Sequence, residues 1–182
     1  MSTNVVPIKI RPHLIPFFYK EFEGIEVDYL NKKVKACKIN SESALGFMIM
    51  LSLKKCEFPV KTSGKYYVYL DISPAIFTEA KLFKIVNNQN SFLEVPEFLN
   101  KKINEILEDL FRVAFQYHTR GMLLGDPNMQ VKDAISYFMK EYELDEYGFN
   151  IESIRRLLDR GKKHKLSRLQ NKTANQIKKS VS

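Results

Sequence analysis

A chain of 182 residues has room for one domain, or one with an appendage, and not for two of full size. With 45% hydrophobic, 12% aromatic and 27% charged residues, the composition suits a chain that buries a core and excludes disorder over most of its length. The net charge of +8 is uneven: residues 155–182 hold ten basic side chains against Asp159 alone, a net +9, which leaves −1 for residues 1–154.

The body reads as mixed α and β. Segments 5–10 (VVPIKI) and 25–39 (IEVDYLNKKVKACKI) alternate as strands do, the second as a hairpin turning at Asn31-Lys32-Lys33. Between them a short helix is expected after Pro12, provided that Pro16 sits in its first turn. Ser41 is a candidate cap for a helix from about residue 42 to 55, which carries Gly46 in its interior. Residues 65–72 (KYYVYLDI), bounded by Ser63-Gly64 and Ser73-Pro74, form the best strand pattern in the chain. Residues 86–95 hold an Asn/Gln-rich turn. From Pro96 a long helix is expected to about His118, ended by RGMLLGDPN with Gly121, Gly125 and Pro127. On that helix Glu105, Glu108 and Asp109 fall on the solvated side. A further helix follows in which Val131, Ala134, Ile135, Phe138, Met139 and Tyr142 keep one apolar face.

The last helix has the clearest start. Asn150 is a good N-cap, and Phe149 with Ile154 has the spacing of a hydrophobic staple. Ile151, Ile154, Leu157 and Leu158 form a narrow apolar stripe. Glu152, Ser153, Arg155, Arg156, Asp159 and Arg160 face outward, and Gly161 is a natural stop. The basic sequence beyond it is too poor in apolar residues for a core and is expected to be a flexible tail, or a helix that orders on a partner.

Enzymatic chemistry has little to stand on, and the chain reads as a non-enzyme without cofactor or metal. His13, His118 and His164 lack ligand spacing, and Cys37 and Cys56 are too few and too far apart for zinc or a disulfide framework. No glycine-rich phosphate loop occurs. The grouping Tyr117, His118 and Arg120 would interest a strand-transfer enzyme, but on one helix the three project in different directions. No apolar run reaches the roughly 20 residues of a membrane span, and the N-terminal segment lacks a signal-peptide centre, so a cytoplasmic protein without membrane contact is expected.

Two amphipathic helices joined by ELDEYGF, the second with arginines outward and lysines following, have the outline of a helix-turn-helix unit. Arginine reads guanine bidentately and phosphates accept any cation, so a helix held by a thin apolar stripe can present such a face to DNA. The candidate nucleic-acid-binding residues are Ser153, Arg155, Arg156 and Arg160 on the helix, and Lys162, Lys163, Lys165 and Arg168 after it. Glu143, Asp145 and Glu146 mark the side that faces away from DNA. Two alternatives stand beside duplex DNA. One is RNA or single strands with the tyrosines of YYVY as a stacking surface. The other is a structural, virion-associated oligomer in which Phe17-Phe18-Tyr19 and the long helix pack against copies of the chain and the basic tail meets nucleic acid or an acidic partner without sequence preference.

Residues 134–165, AISYFMKEYELDEYGFNIESIRRLLDRGKKHK, resemble the C-terminal element of small, mostly uncharacterised proteins of bacteriophages and of mobile elements of Bacteroides-type bacteria. The resemblance covers about a sixth of the chain. It implies a phage or mobile-element origin and a DNA-binding or regulatory role, and carries over no catalytic residue. The expected architecture is α+β: a small mixed sheet packed on helices over residues 1–125, a helix-turn-helix-like element over 126–161, and a basic tail over 162–182. A regulator is expected to be a monomer or dimer, because twofold operators match twofold proteins, whereas a large homo-oligomer fits the structural role; no small-molecule substrate is evident.

Overall fold

A computed structural model describes residues 5–40, 42–64, 66–72 and 92–161, the last four of these by backbone alone. Five α-helices and two sheets occur among the described residues, an α+β architecture. Contacts divide the chain into two compact units, residues 1–109 and 110–182. The division falls inside the long helix that begins after Pro96.

In the first unit β1 (Val5–Lys9), β5 (Tyr67–Asp71), β3 (Lys32–Lys38) and β2 (Gly24–Tyr29) lie side by side in that order. The β1–β5 and β3–β2 pairs are antiparallel and β3–β5 is parallel, so the sheet is mixed. The β2–β3 hairpin turns through Leu30 and Asn31, with φ of 50° and 63°, and Tyr29 pairs with Lys32. The turn is therefore earlier than expected: two successive positive φ values match the right-handed twist of a two-residue hairpin, and Lys32 and Lys33 are already strand. α1 (Leu14–Glu21) buries Leu14, Ile15, Phe17 and Phe18. Pro16 is its third residue, where the missing N–H has no intrahelical partner to lose. The burial of Phe17 and Phe18 takes them out of any contact between copies.

α2 (Ala44–Leu51) is shorter than expected and is capped by Ser43, not Ser41: the Ser43 hydroxyl oxygen accepts from the Gly46 N–H at 3.0 Å. A Cβ at Gly46 would lie 1.9 Å from the Asn40 carbonyl oxygen, so the glycine is required by close approach of the backbone. Lys54 and Lys55, expected in that helix, belong to β4 (Lys54–Cys56), which pairs with β6 (Phe92–Glu94) in a separate two-stranded sheet. The Asn/Gln-rich stretch before β6 lies outside the described residues.

α3 (Glu97–Gly125) starts directly after Pro96, whose carbonyl accepts from Leu99 and Asn100. It runs seven residues beyond His118, through Gly121. An isolated interior glycine costs a helix only about 1 kcal/mol, and no rigid breaker comes before Pro127. In the first unit Ile103 and Leu107 are its buried apolar residues. Asn104 ties it to the strand end, donating to the Lys9 carbonyl and accepting from the Arg11 N–H, each at 2.9 Å. One turn on, Glu108 is buried, contrary to its expected solvated position, and accepts from Arg11 Nη1 at 2.7 Å and His13 Nε2 at 2.8 Å. A buried carboxylate needs such donors to offset its lost hydration.

In the second unit Phe111 and Phe115 of α3 meet Phe138 of α4 (Val131–Glu141) with ring centroids 5.6 and 5.0 Å apart. Ala134, Ile135 and Met139 complete the buried face of α4 as its periodicity predicts. A 3₁₀ turn, Leu144–Tyr147, leads to α5 (Ile151–Gly161).

Candidate nucleic-acid interface

The start of α5 is built by short-range chemistry. Asn150 Oδ1 accepts from the Ser153 backbone N–H at 2.8 Å and from the Ser153 hydroxyl at 2.9 Å. The cap satisfies a donor that the first helical turn leaves open. Ile154 is fully buried, Ile151 and Leu157 are half-buried, and Phe149 of the expected staple is half-buried. The helix is held by one narrow edge.

Arg155 and Arg156 stand on the other side, both exposed. Arg155 Nη1 lies 3.8 Å from Glu152 Oε1, with the two side chains 59% and 69% exposed. Such a pair is loose and screened by salt, and leaves the guanidinium accessible. Ser153 is half-buried, and both its hydroxyl proton and its N–H are taken up by Asn150. Its place is thus in the cap, and neither group is left to donate to a phosphate. Arg160 lies in the last turn of α5 by backbone position. Lys162, Lys163, Lys165 and Arg168 lie outside the described residues.

The connection between α4 and α5 spans residues 142–150, longer than the three- to four-residue turn of a standard helix-turn-helix. It is shaped by left-handed residues at each end of the 3₁₀ turn, Glu143 with φ 48° and Gly148 with φ 79°, and pinned by fully buried Leu144. Glu143, Asp145 and Glu146 line a shallow open groove with Lys140, Ser136, Met139 and Ile151. Tyr147 beside them has its phenol pushed above its ordinary range by burial and by Glu146 and Glu143. Within this helix pair Glu143, Asp145 and Glu146 lie on the connection and Arg155 and Arg156 on α5.

Other candidates separate. Tyr117 and Arg120 are exposed, whereas the His118 ring packs on Phe138 at 5.3 Å with Nε2 buried and without a hydrogen-bond partner. The three share no site. Tyr67 and Tyr69 alternate with buried Val68 and Leu70, and Tyr69 packs on Tyr29 at 5.5 Å beside Val5 and Ala36. Tyr69 is therefore spent in packing and unavailable as a stacking platform. Cys37 and Cys56 are both free thiols; burial pushes Cys37 up to about 11 and also raises Cys56. Among the described residues no group of three or more His, Cys, Asp or Glu side chains is placed to hold a metal ion, and no helix is long and apolar enough to cross a membrane.

No family model matches the chain, and neither a curated protein nor a solved structure matches it.

Proposed function

We propose that the chain is a non-catalytic nucleic-acid-binding protein that meets duplex DNA through α5 and the basic sequence after it, in the manner of a phage or mobile-element regulator. The observation that carries this reading is the exposed pair Arg155 and Arg156 on a capped, edge-held helix that opens a segment of net charge +9. A basic segment of this density draws a polyanion by counterion release, and a helix gripped along one side leaves the other for a groove. In this reading Arg155, Arg156 and Arg160 approach base edges, while Lys162, Lys163, Lys165 and Arg168 neutralise backbone phosphates. Ser153 serves by fixing the helix start, and the acidic connection repels the backbone and sets which side turns to DNA.

Sequence selection on a randomised duplex library tests the division of labour. Changing Arg155 and Arg156 to Ala should lower discrimination between sequences by about tenfold or more per lost base contact. Changing the four cations after Gly161 to Gln should weaken binding to all duplexes alike. Unchanged binding in both variants would remove the site from this face.

A further inference from the structure

The side of α3 turned away from the core of the second unit carries a second apolar row. Leu110, Tyr117 and Leu124 are 47%, 58% and 84% exposed and recur every seven residues. Half-buried Val113 fills the position between the first two. At 3.6 residues per turn these four lie within about 60° of arc, nearly opposite buried Phe111, Phe115 and Thr119. Single exposed apolar residues need no explanation, but a continuous row does. A seven-residue repeat with an intervening step of three or four is the spacing that another helix fits. Ala114 and Gly121, also seven apart, flank the row and leave room for close approach.

The charges beside the row indicate what covers it. Asp109 and Arg120 lie on the same flank, eleven residues apart. A second α3 running antiparallel about a twofold axis near residue 115 places Val113 against Tyr117 of the other copy and Leu110 against its Arg120. Each Arg120 then stands beside the other copy's Asp109, so the pattern is complementary to itself. A parallel arrangement would set this flank against the other copy's opposite flank, where Ala114 and Gly121 stand, and the charge pair would not form.

We infer that a second copy of this chain covers this face, with the two α3 helices antiparallel and Leu110, Val113, Tyr117 and Leu124 at the seam. The inference does not depend on the DNA reading. Sedimentation equilibrium of the full chain at micromolar concentrations should give twice the 21.3 kDa chain mass. The Tyr117→Glu/Leu124→Glu variant, with its circular dichroism unchanged, should raise the dimer dissociation constant by about tenfold or more. Arg120→Asp alone should weaken the dimer, and Asp109→Arg/Arg120→Asp should restore it. A monomeric parent, an assembly larger than a dimer, a dimer indifferent to Tyr117 and Leu124, or a double charge reversal weaker than the single one would each overturn the assignment.

Discussion

The most constrained residues are those where backbone meets backbone or where a polar group has lost its water. Gly46 leaves no room for even one methyl group against the Asn40 carbonyl, so Gly46→Ala should lower unfolding stability by about 1–3 kcal/mol, the scale of overpacking, as chemical denaturation would measure. Cys37 is buried, and its thiol donates to the Phe22 carbonyl at 3.2 Å. Its ionisation rises from 9.0 to about 11 and that of Tyr29 from 10.0 to about 12, both chiefly through burial. Both groups ionise more readily in the unfolded chain, which therefore binds fewer protons above pH 9. Their contribution to stability is intact below that pH and is lost as the pH climbs from 9 towards 12. Denaturation midpoints measured across this range should fall steadily, and the Cys37→Ala variant should fall less between pH 9 and 11 than the parent.

Elements whose cause is local were legible before any coordinates. The Asn150 cap, the apolar face of α4, the position of Pro16 and the strand at residues 67–71 all rest on spacings within a few residues. What escaped sequence reading depends on distant partners. β4 is three residues long and owes its existence to pairing with β6. Glu108 is buried because Arg11 and His13 meet it from the other end of the unit, and no periodicity along α3 announces that. At the candidate site the exposed arginines followed from the stripe opposite them, but the commitment of Ser153 to the cap did not, since an outward position alone does not say what a hydroxyl bonds. The cap also makes α5 testable as an element. Asn150→Ala should cost about 1 kcal/mol, and amide hydrogen exchange should speed up first at the start of α5, with α4 little affected. Uniform acceleration through both helices would mean that α5 is held by packing and not by its cap.

Across the whole molecule, a charge of −1 over residues 1–154 and +9 over the remainder keeps one end cationic without loading the core-forming body. In the proposed reading a polyanion would offset the self-repulsion of so dense a basic segment. Pairing through α3 would give two such ends to one assembly, and two linked contacts on one duplex raise affinity without any new interaction. The stripe variant Tyr117→Glu/Leu124→Glu should then bind long duplexes more weakly than the parent, while retaining the parent's affinity per site on a duplex too short for two.

Fluorescence anisotropy of the full chain on random duplex DNA, single-stranded DNA and duplex RNA at two salt concentrations tests whether its basic end binds duplex DNA. With about six phosphates neutralised, duplex DNA affinity should fall roughly a thousandfold between about 50 and 200 mM salt. Replacing Lys162, Lys163, Lys165 and Arg168 with Gln should flatten that slope by nearly four phosphates' worth. Absence of binding to duplex DNA, or a salt slope unchanged by these replacements, would mean that this segment is not a DNA-binding end.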